Sequence, residues 1–138
     1  MILISGHTCE IGKQTIKRLK DLSFNIITIG RKKNPNIENI FMDIDLNQID
    51  ETELLKYSSK ISVFIHFAFS RNRIENNNKI TNKIFKLLGK NIININLSSL
   101  SVYTNSNYGK QKKIIENLFT ENSVNIRSGI IYSEKIGG

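Results

Sequence analysis

The stretch "SGHTCEIGKQ", Ser5 to Gln14, decides how this chain is read. It follows a short apolar run, Ile2-Leu3-Ile4, that reads as a buried strand. It leads into Ile11, Ile16, Leu19 and Leu22, which share one helical face. Gly6 and Gly12 therefore bracket a strand-to-helix turn. Gly6 permits a tight turn, and Gly12 lets the helix approach the sheet closely. The backbone amides of Thr8 to Ile11 then point outward from a helix N-terminus, which favours an anion. A plain connection between a strand and a helix accounts for the same two glycines.

Outward from this turn, strand-like and helix-like segments alternate. "FNIITIG" (Phe24 to Gly30) is a second strand and "NIFMDID" (Asn39 to Asp45) a third. "NQIDETELLKYSSK", Asn47 to Lys60, reads as a helix with acidic residues in its early turns. "ISVFIHFAF" (Ile61 to Phe69) is the fourth strand and the most continuously apolar. The polar "IENNNK", Ile74 to Lys79, reads as a loop, and Ile80, Ile84, Leu87 and Leu88 mark the next helix. "IININLSS" (Ile92 to Ser99) is a fifth strand, Tyr108 to Phe119 a helix, and "VNIRSGIIY" (Val124 to Tyr132) a sixth strand. This alternation predicts an α/β fold: a doubly wound parallel sheet in the order 3-2-1-4-5-6, as a single domain over residues 1–138. Between Arg31 and Ile40 there is little room for a crossover helix, and Pro35 disfavours one. An irregular loop is expected there.

Composition narrows the function. The 138 residues suit one core, and 39% are apolar. No apolar run reaches the roughly 18 residues of a membrane span. The sequence opens directly on a strand with no charged leader, so a cytoplasmic location is expected. A lone cysteine, Cys9, excludes an internal disulfide, and Cys9, His7 and His66 are too few for a structural zinc site. The formal net charge is +8. The lysines are scattered, with no basic tail and no basic block interleaved with aromatics, so the charge is read as compositional. Neither nucleic acid nor a membrane is the expected partner.

In a doubly wound sheet, ligands bind beyond the carboxyl ends of the strands, where the strand order reverses. Ser5-Gly6 and His66-Phe67-Ala68 end the two strands flanking that point. Arg31, Lys32 and Lys33 follow the second strand. A basic residue there favours the 2′-phosphate of NADP over the free ribose of NAD. A solvated charge run is the competing reading. Asp43, with Ile44 beside it, ends the third strand where an adenine amino group is met, or else serves a turn. After the fifth strand, Ser98-Ser99 precedes "NYGKQKK", Asn107 to Lys113, in which Tyr108 and Lys112 are four apart on one helical face. An ammonium near a phenol favours the phenolate, and such a tyrosine exchanges protons near neutral pH. Ser99 is placed to orient the reacting oxygen. The Tyr-x-x-x-Lys spacing is common by chance; its place after the fifth strand gives it weight.

The ordered set "SGHTCEIG", "GRK", "MDI", "HFA", "LSS", "YGKQK" and "IRSGIIY" resembles the short-chain dehydrogenase/reductase superfamily. "HFA" and "IRSGIIY" look most like its extended branch, the NAD-dependent epimerases, dehydratases and reductases of nucleotide sugars. The resemblance implies a Rossmann fold and NADP(H) as preferred cofactor, with NAD(H) as the alternative. It implies contacts to the cofactor from Gly6, Thr8, Cys9, Glu10, Ile11, Gly12, Arg31, Asp43, Ile44, Ala68 and Lys112. It assigns Tyr108 as general acid/base, Lys112 as holder of the nicotinamide ribose and tuner of Tyr108, and Ser99 as the residue orienting a nucleotide-sugar or small carbonyl substrate. It also implies a homodimer through the helices around 79–88 and 108–119.

Four departures stand against the pattern. Cys9 or Glu10, depending on the branch, takes the place of the middle glycine, and Glu10 is expected to face solvent. Ser99 and Tyr108 are only nine positions apart, so Ser101 or Tyr103 are candidate substitutes. The segment from Phe69 to Ile80 is short and asparagine-rich. Beyond the sixth strand the pattern's substrate-binding region is expected to be missing. The resemblance thus covers the cofactor half, and two alternatives follow: a catalytically inert NAD(P)-binding relative, or an interaction protein on the same fold.

Overall fold

The computed structural model describes residues 1–130 of the chain. Seven strands form one sheet: β1 (Ile2–Ser5), β2 (Ile26–Gly30), β3 (Asn39–Asp43), β4 (Gln48–Ile49), β5 (Val63–His66), β6 (Ile93–Ser99) and β7 (Ser123–Ser128). Their order is β4-β3-β2-β1-β5-β6-β7. All neighbours pair in parallel except β3 and β4. The six parallel strands lie in the order read from the sequence, and the last two residues of "VNIRSGIIY", Ile131 and Tyr132, fall outside the described residues. Four α-helices accompany the sheet: α1 (Glu10–Asp21), α2 (Glu51–Ser58), α3 (Ile74–Leu88) and α4 (Asn107–Glu116), and a short 3-10 turn spans Leu100–Tyr103.

The period of two along each strand divides the apolar residues between two faces. On β1, Leu3 joins Ile27, Ile29, Ile40 and Phe64 under α2 and α3, which contribute Leu54, Ile80, Ile84 and Leu88. Ile2 and Ile4 face the other way, with Ile65, and meet Ile16 of α1. Residues 31–38 cross from β2 to β3 without a helix, as Pro35 foretold. Among the described residues, α1 is therefore the one α-helix on its face, and Ile93, Val124 and Ile126 of β6 and β7 stand half exposed there.

Several segments depart from the sequence reading: the fourth strand spans only Val63–His66 rather than Ile61 to Phe69, the helix after the fifth strand ends at Glu116 rather than Phe119, and three further changes bear on the site. "IENNNK" is not a loop; it forms the first turns of α3. Its asparagines take buried roles: Asn77 Nδ2 donates to the carbonyls of Ser70 (2.8 Å) and Ile74 (3.0 Å), and its Oδ1 accepts from Ser70 N at 2.7 Å. Tertiary partners thereby offset the weak helix propensity of asparagine. The third strand ends at Asp43, not Asp45, because Asp43 Oδ1 accepts from Leu46 N (3.2 Å) and turns the chain. The chain then returns as β4, pairing Met42 with Ile49 and Asp43 with Gln48. Consequently α2 starts at Glu51 rather than Asn47, capped by Asp50, whose Oδ1 accepts from Glu53 N at 3.0 Å. Asp50→Ala removes that cap and leaves β4 in place. It should lower the unfolding free energy in urea by about 1 kcal/mol, with little change in the denaturant slope.

Candidate functional site

The glycine turn joins β1 to α1. Gly6 has φ +70, in the left-handed region that L side chains avoid, and a Cβ there would lie 2.6 Å from Ala68 N and 2.7 Å from Phe67 C. The turn therefore rests directly on the chain leaving β5. A Cβ on Gly12 would lie 2.5 Å from the Gly6 carbonyl oxygen, so α1 closes tightly on its own entry. Cys9, in the place of the middle glycine, is the N-cap. Its Sγ accepts from Gly12 N at 3.4 Å, and its own amide donates to the Gly6 carbonyl at 3.1 Å. Of the amides expected to face a ligand, that of Cys9 is thus used within the turn, while those of Glu10 and Ile11 have no intrahelical partner. The Glu10 side chain lies along the helix, accepting from Gln14 Nε2 at 3.0 Å at the surface. It leaves the turn open.

A cleft of about 310 Å³ opens beyond the carboxyl ends of β1, β2, β3 and β5. Gly6, Thr8, Cys9, Arg31, Asp43, Ile44 and Ala68, all singled out in the sequence, line it. Lys32 lines it as well. Asp43 is buried and closes the turn to Leu46, and it also borders the cleft. Among the lining residues that sequence reasoning did not single out, His7, Asp45 and Ser70 bring polar side chains. His7 is buried beneath the turn, with Nε2 2.7 Å from the carbonyl oxygen of Lys32. Asp45 and Ser70 stand together at the mouth, where the Ser70 hydroxyl donates to Asp45 Oδ1. Nothing local marks them; they meet only because β3 and β5 end on the same edge.

The second group of predicted residues lies on β6 and α4. Ser99 ends β6 and caps the 3-10 turn; its Oγ accepts from Ser101 N (3.1 Å) and donates to Ser101 Oγ (3.1 Å). Tyr108 lies in the first turn of α4 and Lys112 one turn further on. The Lys112 Nζ is 5.8 Å from the Tyr108 ring centroid and 4.6 Å from that of Phe69. It donates to the Leu97 carbonyl at 3.1 Å. Burial pushes the Lys112 ammonium down to about 8, the charge of Arg71 adds to the shift, and Glu116 opposes it. Tyr108 is flanked by Phe69, edge to face at 5.3 Å, and by Arg71, whose guanidinium carbon is 5.4 Å from its ring centroid. Gly109 lets α4 dock here, since a Cβ on it would lie 1.9 Å from the Ser101 carbonyl oxygen. The structure thus brings Tyr108 and Lys112 together and engages Ser99 with Ser101. Tyr103 is largely exposed and receives a hydrogen bond from Arg127 Nη1.

His66 fastens the switch point. The Thr81 hydroxyl donates to the Asn77 carbonyl (2.7 Å), so its oxygen is the acceptor for His66 Nε2–H at 3.4 Å. This leaves Nδ1 to accept from Ser5 Oγ at 2.7 Å, and Ser5 Oγ in turn accepts from Ala68 N at 3.4 Å. The ring stacks on Phe119 at 5.9 Å. At the far end of α4, Arg127 grips both Glu116 oxygens at 2.9 Å and holds that carboxyl down to about 2.

The family model of the NAD dependent epimerase/dehydratase family matches residues 2–128. The chain belongs to that family. No curated protein matches it in sequence. Among solved structures, a short-chain dehydrogenase/reductase superfamily protein from Agrobacterium tumefaciens with bound NAD superposes with TM-score 0.70 at 16% identity, over 92% of this chain and 48% of that one. A short chain dehydrogenase from Leptospira borgpetersenii with bound NAD+ gives 0.75 at 15% identity, over 98% and 72%. The UDP-N-acetylglucosamine 4-epimerase of Bacillus cereus gives 0.65 at 18% identity, over 85% and 46%. These likenesses establish the fold. The chain spans about half the length of the first and third of these proteins.

Burial is the main cause that lowers His66 from 6.5 to about 3, with the Lys112 charge adding to it. The unfolded chain therefore binds a proton as pH falls through 6.5, while the folded chain resists until about 3. The His66 contribution is fully present above 6.5 and is lost below it, by up to about 1.4 kcal/mol per pH unit. Glu116 adds its own loss only below its unfolded value of 4.5. Urea unfolding between pH 6.5 and 4.5 should show this decline in the parent chain. His66→Gln, weaker at pH 7, should flatten it; a flat parent profile would remove His66 as the cause.

Proposed function

We propose that this chain forms the dinucleotide-holding half of an oxidoreductase or epimerase that acts on a nucleotide sugar or small carbonyl compound. One observation carries the proposal. A left-handed glycine turn, pressed against the chain leaving β5, opens the N-terminus of α1 onto a cleft at the strand-order reversal. The free amides of Glu10 and Ile11 suit a diphosphate, and the neighbouring apolar and carboxylate groups, Ile44 and Asp43, suit an adenosine. A bound nicotinamide dinucleotide supplies hydride chemistry. In this reading Tyr108 moves the proton at its phenolic oxygen, Lys112 one helical turn further on holds the nicotinamide ribose, and Ser99 orients the substrate oxygen. Arg31, taken alone, is the side chain that would favour the 2′-phosphate of NADP(H).

A second reading has its own support. Lys112 is 7% exposed, bonded to the Leu97 carbonyl and covered by Phe69, and it does not line the cleft. A relative that binds the nucleotide without turning over substrate fits that arrangement. Association through α3 and α4 belongs to the first reading; the outward side chains there include Lys79, Lys86, Lys110 and Lys113, so a dimer should tighten with added salt.

Calorimetric titration with NADH and NADPH tests the cleft. Tyr108→Phe should bind as the parent does. Gly6→Ala should lose at least about tenfold in affinity, roughly 1.4 kcal/mol, and stability with it. Failure of the parent to bind either nucleotide would overturn the proposal. Binding without consumption of any sugar nucleotide or carbonyl compound would favour the second reading. Light scattering at rising salt checks the dimer, and a monomeric mass at high protein concentration would exclude it.

A further inference from the structure

Arg31 does not stand alone at the cleft. Its Nη1 lies 3.7 Å from Oδ2 of Asp45, and both residues line the opening. The two partners differ in how firmly they are held. The Arg31 side chain is 64% exposed, whereas that of Asp45 is 31% exposed and fastened on two sides. Its Oδ1 accepts the Ser70 hydroxyl proton, and its main-chain carbonyl accepts from Asn76 Nδ2 at 3.0 Å. Ser70 is itself fixed by the buried Asn77, which bonds both its amide and its carbonyl. The asparagine-rich start of α3 thus holds a carboxylate beside the arginine.

We infer that Asp45 is a specificity-determining residue for the dinucleotide, cancelling the preference for a 2′-phosphate that Arg31 alone would give. This rests on the cleft being a dinucleotide site. An anion bound to Arg31 in this arrangement would stand close to the Asp45 carboxylate, which Ser70 holds in place. A phosphate carrying nearly two negative charges is repelled at that distance, and it must also displace an existing ion pair. A neutral ribose diol meets no such penalty, and its hydroxyls find an acceptor in the carboxylate. The intact chain therefore binds NADH at least as tightly as NADPH.

The same logic reaches beyond the nicotinamide. Adenosine 5′-monophosphate and adenosine 2′,5′-bisphosphate differ only in the 2′-phosphate, so they report this contact without the rest of the cofactor. Asp45→Asn keeps the shape and an acceptor for Ser70 while removing the charge.

Calorimetry on the full chain, with NADH, NADPH and the two adenosine probes, tests the inference. In Asp45→Asn the affinity for NADPH relative to NADH should rise at least about tenfold, and the bisphosphate should gain likewise over the monophosphate. Arg31→Ala should weaken NADPH and leave NADH little changed. A ratio in Asp45→Asn within about twofold of the parent's, a measurement limit well below the tenfold step, would overturn the inference and leave the dinucleotide cleft standing. Absence of binding by the parent to either dinucleotide would overturn both. Thermal melting of each variant separates a lost contact from a lost fold.

Discussion

The site depends on β1 lying between β2 and β5 with both pairings parallel. At its last residue, Ser5 is opposite Ile29 on one side and His66 on the other. The connections that follow β1 and β5 leave in opposite directions along the sheet, because β2 lies to one side and β6 to the other. A crevice at the point of divergence is the geometric result. Ser5 and His66 then do more than end their strands. Their side chains are hydrogen-bonded to each other, and the Ser5 oxygen also receives the Ala68 amide. Three polar groups are satisfied together in a buried place. The glycine turn rests on this fastening, since Gly6 touches the same stretch, Phe67 and Ala68.

From that point the functional residues divide into two neighbouring groups. One lines the cleft under the glycine turn. The other is the Tyr108–Lys112 pair at the start of α4. Phe69 belongs to both, lining the cleft while packing on Tyr108 and Lys112. Its position explains why Lys112 is so poorly solvated that its ammonium is weakened to about 8. The same loop supplies Ser70 to the cleft mouth and Arg71 to the Tyr108 ring. A short segment after β5 therefore conditions both the charge of the lysine and the charge at the entrance.

Much of this was legible in the chain itself. The alternation of apolar runs gave the six parallel strands in their order, and Pro35 marked the missing crossover helix. Gly6, Asp43 and Ala68 were readable as one edge because strand ends in this topology converge. The asparagines of α3 were misread because propensity sees only their weakness in helices. Their amides are bonded to Ser70, Ile74 and Asp45, partners that a local window does not weigh. Local pattern places Asp50 inside a helix rather than at its cap, since the two-residue β4 that forces the later start is too short to carry a periodic signal. His7, Asp45 and Ser70 were invisible for the same reason: each acquires its role from a neighbour 25 positions away in the chain.

The sequence by itself determined the class of fold and the place of the ligand edge. Period-two and period-3.6 patterns, and the need for glycine at a turn with positive φ, are properties of a few adjacent residues. Only the tertiary structure decided which charges meet. The pairing of Arg31 with Asp45, the burial of Lys112 under Phe69 and the proton arrangement at His66 arise when separate strand ends are brought onto one edge. At Lys112 and His66, exclusion of water raises the cost of carrying the charge.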